Sequence, residues 1–495
     1  MARTPRLPGV GAPPASSRLL LLAALVVPAL QPTAALRGVP RDAARSISHE
    51  GGWEEAWDVA AALDGLRAAT DVHERAVVAA AAAAKEWASG NWDEQGKARP
   101  VAFVPGLMGT ALRYGVKDRE KSPNPFCRRN VPDGTLFWPP TKDMVMPQRF
   151  SCLCANLQLV CDDLSDTSET GCFRPKMKGV NISVDGSYAS VMSLDNTSAI
   201  WQPWADALVA ANPTYVQGRD IVGLPYDWRL GPDAWAAPGG DFDRTKAAIE
   251  AAVAANGGLA AVVVSISMGG PYFAAFCQHV SQEWKDANVH AFLSLSGVYS
   301  GSSLSFLNML TGAFGTAKIP PFVLDEFKDM TRSLGSLPWL LPSSPTFPPD
   351  ETFVSVQDPP SNYTANDFGA LLETAGATQA AKLWKRYKDV SGLNLAPNVT
   401  TYCVSGYGKS TLQSLTFASA DFKMKKIVGA GMVDGDGTVA TPSLRVCDAW
   451  AAVQRAPVFP VHVPNMTHAG FLADRDMGKI LFPLVFDQRA AAVSS

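Results

Sequence analysis

A single stretch near the middle of this 495-residue chain, residues 262–276, places the strongest constraint on its fold. A run of apolar β-branched residues ends at Ser267, and Gly269-Gly270 then opens an apolar helical pattern. A strand, a tight turn carrying serine and a helix together make a nucleophile elbow, which exposes the serine hydroxyl above a sheet. The alternative interpretation is a buried strand that leads into an ordinary Ser/Gly turn, and Ser265 stands where the elbow usually has glycine.

The sequence around this stretch predicts an α/β fold with a mostly parallel sheet, because strand patterns alternate with helical ones. Apolar strands are predicted at residues 101–104, 220–224, 291–295, 401–405, 427–433 and 458–463, and amphipathic helices at 201–211 and 242–255. Residues 303–395 break the alternation with prolines and mixed helical patterns. We interpret that segment as an insertion or cap over the active site.

A histidine and a carboxylate must accompany a nucleophilic serine, the first to take its proton and the second to orient the histidine. In sheets of this kind the carboxylate and then the histidine follow the serine along the chain. Four histidines follow Ser267: His279, His290, His462 and His468. Only His468 is predicted in a loop after the last strand, so we predict that it is the base.

An acidic, glycine-punctuated loop, Asp434-Gly435-Asp436-Gly437, lies between the elbow and His468 and follows a predicted strand. We choose Asp436 over Asp434 as the orienting carboxylate. An ordinary turn and a calcium loop are the alternatives, although a calcium loop needs more acidic ligands than this segment offers.

A glycine-containing loop, Pro105-Gly106-Leu107-Met108-Gly109, follows the first predicted strand. Glycines at this place let backbone N–H groups turn toward the negative oxygen that develops on a substrate. Many first strands of α/β sheets also end in glycine, so the loop supports the elbow interpretation without establishing it.

The N-terminus and the cysteines predict the secretory route. Residues 1–35 have arginines, an apolar run and small residues in the order of a signal peptide, with an uncleaved anchor as the alternative. Residues 36–98 are predicted to form an Ala-rich helical extension, and they carry no chemical motif. Eight cysteines, five of them within 127–172, lack zinc-site spacing and favour disulfides. Sequons for glycosylation occur at Asn181, Asn196, Asn362, Asn398 and Asn465. A net charge of −3 gives no reason to expect a nucleic-acid partner.

The chain resembles the lecithin:cholesterol acyltransferase family, which includes lysosomal phospholipase A2 and phospholipid:diacylglycerol acyltransferases. The most specific marker is Pro225-Tyr226-Asp227-Trp228-Arg229-Leu230-Gly231-Pro232. Collinear with it are the motifs at 104–109, 267–269, 362–368, 402–408 and 434–439, so the resemblance covers residues 100–485. Ile266 departs from the family pattern, where histidine is common.

This resemblance implies an α/β-hydrolase fold over residues 99–490, with a lid at about 127–172 and a cap at about 303–395. It implies Ser267, Asp436 and His468 as the catalytic triad, and the backbone N–H groups of Leu107 and Met268 as the oxyanion hole. It also implies a Cys403–Cys447 disulfide, a lid that begins at Cys127 with Cys161 as the expected partner, and lipid contact by Trp138. No cofactor and no metal are expected.

The implied activity is transfer of a fatty acyl group from phospholipid to a lipid alcohol, a sterol or a diacylglycerol, through an acyl-enzyme. The alternative is a phospholipase A that uses water with the same residues. A lipid-binding glycoprotein on an inactive hydrolase scaffold is a less favoured rival. The expected partners are a phospholipid donor, a lipid acceptor and the surface of a membrane or lipid particle, and the expected location is secreted or in an organelle lumen.

Overall fold

The computed structural model describes residues 98–486, except 120, 142–143, 145, 162–171, 197–198, 314–320, 345 and 475. The predicted signal peptide at 1–35 therefore lies outside the described residues, as does the predicted extension at 36–98 apart from Ala98. No helix within the described ranges is long and apolar enough to cross a membrane.

The centre of the molecule is a six-stranded parallel sheet, as the alternating pattern predicted. Its strands, in chain order, are β1 (Val101–Val104), β7 (Ile221–Gly223), β8 (Ala261–Ile266), β9 (Val289–Leu295), β12 (Thr401–Tyr407) and β15 (Val458–Pro464). In space the order is β15-β12-β9-β8-β1-β7. The α/β-hydrolase fold expected from the sequence is confirmed.

Both faces of this sheet are covered, which explains why its inner strands are continuous apolar runs rather than alternating ones. Along β8, Val263 packs into the hydrophobic cluster on one face, while Val262 and Val264 pack into the cluster on the other. All six residues of β8 are buried.

Helices surround the sheet and fill the connections between strands. They are α1 (Pro147–Leu157), α2 (Ala189–Met192), α3 (Gln202–Ala211), α4 (Pro232–Ala236), α5 (Asp241–Ala255), α6 (Gly269–His279), α7 (Gln282–Asn288), α8 (Ser303–Thr311), α9 (Pro321–Ser333), α10 (Ser336–Trp339), α11 (Phe368–Thr374), α12 (Thr378–Tyr387), α13 (Thr441–Leu444), α14 (Val446–Ala449) and α15 (Met477–Val485).

The remaining strands form three smaller sheets. They are β2 (Leu112–Val116), β3 (Val131–Trp138), β4 (Leu159–Cys161), β5 (Phe173–Pro175), β6 (Val180–Val184), β10 (Thr352–Asp358), β11 (Ser361–Thr364), β13 (Lys409–Ser419) and β14 (Ile427–Gly435). Their orders are β3-β2-β6, β4-β5 and β11-β10-β13-β14. The strand predicted at 427–433 therefore exists, but it pairs antiparallel with β13 outside the parallel sheet.

The order of the central strands positions the functional region. The chain passes from β1 to β7 on one side and then to β8 on the other side of β1. Ligands of open α/β sheets bind in the crevice at the carboxyl ends of the strands where the order reverses in this way. Loop 105–109 and the turn at Ser267 begin at the ends of β1 and β8, so they lie side by side in that crevice.

Candidate active site

Ser267 occupies a strained turn between β8 and α6. Its φ angle is +57°, in the left-handed region that a residue with a side chain rarely adopts. Its N–H donates to the carbonyl oxygen of Leu295 at 3.0 Å, which ties the turn to the neighbouring strand. A Cβ added at Gly269 would lie 2.5 Å from the Pro105 carbonyl oxygen, so only glycine fits there. These features are those of the elbow that the sequence predicted.

His468 reaches the serine from the loop that follows β15. Its Nε2 lies 2.9 Å from Ser267 Oγ, and its Nδ1 lies 2.7 Å from Asp436 Oδ2. With Asp436 ionised, the Nδ1–H donates to the carboxylate, and Nε2 is left to accept the serine hydroxyl proton. The structure thus brings together the three side chains that the sequence singled out.

Asp436 is fully buried, and both of its carboxylate oxygens are occupied. Oδ1 accepts the backbone N–H groups of Thr438 at 2.9 Å and Val439 at 2.8 Å, while Oδ2 faces His468. The carboxylate of the neighbouring candidate, Asp434, instead accepts the Gly408 N–H at 2.6 Å and the Thr441 hydroxyl at 2.7 Å. The choice of Asp436 over Asp434 agrees with this geometry.

The resemblance predicts an oxyanion hole formed by two backbone N–H groups, those of Leu107 and Met268. Met268 directly follows Ser267, and Leu107 lies in the adjacent loop 105–109. Within the described part of the chain, neither N–H makes a hydrogen bond. Met108 has a φ angle of +63°, and the Gly109 N–H donates to the Gly106 carbonyl at 3.0 Å. The loop therefore makes a tight turn that leaves the Leu107 N–H available.

The Tyr-Asp-Trp-Arg segment after β7 supports this loop from below. Tyr226 Oη donates to the Pro105 carbonyl at 2.9 Å, and Trp228 Nε1 donates to the Thr110 carbonyl at 3.2 Å. In the same segment, the Arg229 guanidinium forms a bidentate ion pair with the Asp227 carboxylate, with N–O distances of 2.9 and 2.6 Å, and both side chains are buried. These contacts give the segment a structural role, which is to hold loop 105–109 in place.

Trp138 is not on the surface, and the prediction that it contacts lipid is wrong for this structure. The residue is 2% exposed, and its Nε1 donates to the Met108 carbonyl at 2.8 Å. Its ring packs edge-on against Trp228, with centroids 5.3 Å apart. The exposed apolar side chains nearby are instead Phe126 and Met146, at 58% and 52% exposure. Phe137 and Trp138 are adjacent at the end of β3 and both are buried, so the strand has no alternating pattern from which the burial of Trp138 could be predicted.

The disulfides correct one prediction and confirm another. Cys127 pairs with Cys152 rather than with Cys161, and Cys161 pairs with Cys172. Cys152 and Cys154 lie two positions apart on α1, so they point to different sides of the helix, and only Cys152 reaches Cys127. The Cys403–Cys447 bridge is as expected. Three disulfides indicate an oxidising compartment.

Cys277 is a buried free thiol on α6. Burial raises its pKa to about 12, so it stays protonated and unreactive at neutral pH. Among the described residues, no cluster of three or more His, Cys, Asp or Glu side chains could hold a metal ion.

The sequence did not reveal a second grouping, formed by Ser405, His462 and Asp448. His462 Nδ1 lies 2.9 Å from Ser405 Oγ, and its Nε2 lies 3.1 Å from Asp448 Oδ2. Burial raises the pKa of the Asp448 carboxyl, while His462 and Arg445 oppose that rise. No spacing motif joins these residues, because the register of β12 with β15 brings Ser405 opposite His462.

Taken together, the parallel sheet and the turn that carries Ser267 define an α/β-hydrolase fold. Comparison with known proteins gives the family. A model of the lecithin:cholesterol acyltransferase family matches residues 136–380 and 373–479, and the chain belongs to that family.

Characterised relatives match across most of their length. The lysosomal phospholipase A and acyltransferase of Bos taurus is 28% identical over 77% of this chain and 89% of its own. The Homo sapiens protein of the same name is 28% identical over 77% of this chain and 88% of its own. The phosphatidylcholine-sterol acyltransferase of Homo sapiens is 28% identical, over 74% of this chain and 80% of the length of that protein.

Proposed function

We propose that this protein moves a fatty acyl group from a phospholipid to a lipid alcohol through an acyl-enzyme on Ser267. The observation that carries the proposal is the buried relay from Ser267 Oγ through His468 to Asp436, at 2.9 and 2.7 Å. It lies beside two N–H groups, those of Leu107 and Met268, that have no partner within the described residues.

In the first half of the reaction, Ser267 Oγ attacks the acyl ester carbonyl and passes its proton to His468 Nε2. The carbonyl oxygen becomes negative and receives the N–H groups of Leu107 and Met268. As the intermediate collapses, the ester C–O bond breaks, and His468 returns the proton to the departing lysophospholipid oxygen. Asp436 holds the histidine tautomer and stabilises its positive charge throughout.

In the second half, an alcohol gives its proton to His468 and attacks the acyl-Ser267 ester. A new acyl ester leaves, and the proton returns to Ser267 Oγ. We propose a sterol or a diacylglycerol as the acceptor. The alternative is water, which makes the protein a phospholipase A, and the name of the lysosomal relatives includes both activities. The outcome depends on how dry the site is when the acceptor enters.

We further propose that the protein works on a membrane or lipid-particle surface in the secretory pathway, either secreted or in an organelle lumen. In this proposal the segment at about 127–172 forms a lid, and that at about 303–395 forms a cap. Phe126 directly precedes the loop that the Cys127–Cys152 disulfide closes, and Met146 lies within that loop, both with exposed side chains; Arg128 and Arg129, which follow Cys127, are also exposed. Exposed apolar side chains next to basic ones suit the interface of a phospholipid layer.

The test follows the fate of the acyl chain. Purified protein is given phosphatidylcholine with a labelled acyl chain, with sterol, with diacylglycerol or with neither, and Ser267→Ala serves as the matched control. Labelled steryl ester or triacylglycerol from the wild type alone establishes a transferase and names its acceptor. Free fatty acid alone in every mixture establishes a phospholipase. Equal turnover by both proteins contradicts the role of Ser267, and no turnover with retained lipid binding supports the inactive lipid-binding glycoprotein.

A further inference from the structure

Three carbonyl groups of loop 105–109 are each held by a different donor. Tyr226 Oη holds the Pro105 oxygen at 2.9 Å, and the Gly109 N–H holds the Gly106 oxygen at 3.0 Å. The indole N–H of Trp138 holds the Met108 oxygen at 2.8 Å. The carbonyls held by the two side-chain donors, those of Pro105 and Met108, lie on either side of Leu107 in the sequence.

Such anchoring matters because the loop is in a conformation that it does not favour by itself. Met108 has a φ angle of +63°, which costs a residue with a side chain free energy relative to the extended or helical regions. In a peptide unit the C=O of one residue and the N–H of the next point in opposite directions. The Met108 carbonyl that Trp138 holds therefore fixes the Gly109 N–H, which donates to the Gly106 carbonyl at 3.0 Å. The Gly106 carbonyl in turn belongs to the same peptide unit as the Leu107 N–H, so the anchor acts on that N–H through the Gly109–Gly106 hydrogen bond. A loop that lost an anchor could rotate the Leu107 N–H away from the substrate.

Trp138 is itself held firmly. It is buried at the end of β3, and its ring packs against Trp228, which donates to the Thr110 carbonyl just beyond the loop. It also lies inside the segment that the Cys127–Cys152 disulfide closes. The same segment that carries the exposed lid surface therefore reaches under loop 105–109.

We infer that Trp138 is a positioning residue: its indole N–H holds the Met108 carbonyl, so that the Leu107 N–H points at the oxygen that becomes negative. Tyr226 is the second anchor of the same loop. The inference rests on the proposed function, since it concerns the oxyanion of that reaction. It assigns to Trp138 a role different from the lipid contact that the sequence suggested.

Trp138→Phe tests the inference, because phenylalanine keeps a ring but has no N–H. The variant is assayed on a short soluble ester and on phosphatidylcholine vesicles. We expect kcat to fall by roughly tenfold or more on both substrates, below the loss for a direct oxyanion donor. The KM for the soluble ester should stay within about twofold, because ground-state binding is not involved. The inhibition constant of a boronic acid, which forms a negative tetrahedral adduct on the serine, should rise with the loss of kcat.

Trp339→Phe is the matched control. Trp339 is also buried, and its Nε1 donates to the Val390 carbonyl at 2.7 Å, a bond of the same kind that does not touch the loop. This variant should keep wild-type kcat on the soluble ester. Tyr226→Phe, which removes the other anchor, provides a second variant and should lower kcat in the same way as Trp138→Phe.

The inference is overturned if Trp138→Phe slows vesicle turnover but leaves the soluble ester unaffected, because that result is the signature of lipid contact. Equal loss of kcat in Trp339→Phe would also overturn it. If Trp138→Phe does not fold, unchanged kcat and boronate affinity in Tyr226→Phe would contradict the anchoring scheme. Failure of the proposed function shows separately, as wild-type activity in Ser267→Ala.

Discussion

Two groupings of serine, histidine and aspartate occur in this molecule, with almost the same distances but with different surroundings. In the first grouping, His468 lies 2.9 Å from Ser267 and 2.7 Å from Asp436. In the second, His462 lies 2.9 Å from Ser405 and 3.1 Å from Asp448. The two groupings differ in the backbone conformation at the serine. Ser267 is on a strained turn beside unpaired N–H groups, whereas Ser405 lies in β12, opposite His462 of β15.

The orientation of the histidines differs as well. His468 presents Nε2 to its serine and Nδ1 to a fully buried carboxylate, while His462 presents the two nitrogens the other way round. The His462 and Asp448 side chains are 28% and 24% exposed. We predict from this comparison that matching residue types and distances are not sufficient for a nucleophile, because Ser405 lacks the strained turn that carries Ser267. Hydrogen bonds of the second grouping join β12, β15 and α14, and we predict that it is a structural clasp between them.

The largest expected difference is between the two serines. Ser267→Ala should lower kcat on a soluble ester by roughly 10⁶-fold, because the nucleophile of a triad is lost. Ser405→Ala should leave kcat within about twofold, since its hydroxyl lies within strand β12, opposite His462, and not on a strained turn. Initial rates of the two purified variants measure both effects. Comparable losses in the two would show that the second grouping takes part in the chemistry.

Exchanging the carboxylates for amides should give the next largest difference. Asp436→Asn should lower kcat by roughly 10⁴-fold, because the amide favours the wrong histidine tautomer while keeping the shape of the site. Asp448→Asn serves as the matched control and should leave kcat nearly unchanged. A fall of less than about tenfold in Asp436→Asn would show that another group orients His468.

The two histidines should separate activity from stability. His462→Ala removes two hydrogen bonds that join three elements, so the free energy of unfolding should fall by about 1–2 kcal/mol while kcat stays unchanged. His468→Ala should abolish turnover. Urea unfolding followed by tryptophan fluorescence, together with the ester assay, gives both quantities. A clasp role for His462 is refuted if its variant unfolds at the wild-type midpoint.

The smallest effect concerns pH. Burial raises the pKa of Asp448 above its ordinary value, so the folded state binds this proton more tightly than the unfolded state does. The resulting stabilisation is fully present below about pH 4 and is lost as the pH rises through the folded pKa. Measured against Asp448→Asn, the wild-type free energy of unfolding should therefore fall between pH 4 and pH 7. Parallel pH profiles for the two proteins would contradict this assignment.

The sequence predicted the parts of the site that local pattern encodes. The apolar run into Ser267 requires a buried strand, and the glycine two residues later is required by the 2.5 Å approach to Pro105. Asp436 and His468 each follow a strand, so their chain order was informative. The structure brings these three residues together, and their catalytic roles remain a prediction.

The parts that the sequence could not predict depend on long-range packing. The burial of Trp138 results from contacts with Trp228 and the Met108 carbonyl, which lie far away in the chain. The partner of Cys127 depended on which side of α1 each cysteine faces. The second grouping arises from the register of two distant strands. None of these is encoded in a spacing that can be read along one segment.

The first grouping joins residues 201 positions apart in the chain, those of the Ser267–His468 contact. His468 follows β15, which is the last strand of the central sheet along the chain and pairs with β12. A ribosome-bound chain that ends before residue 468 therefore carries the elbow but no base to activate it. In our proposal, the protein therefore does not cleave lipids of the membrane across which it is translocated until the whole central sheet has been synthesised and has folded.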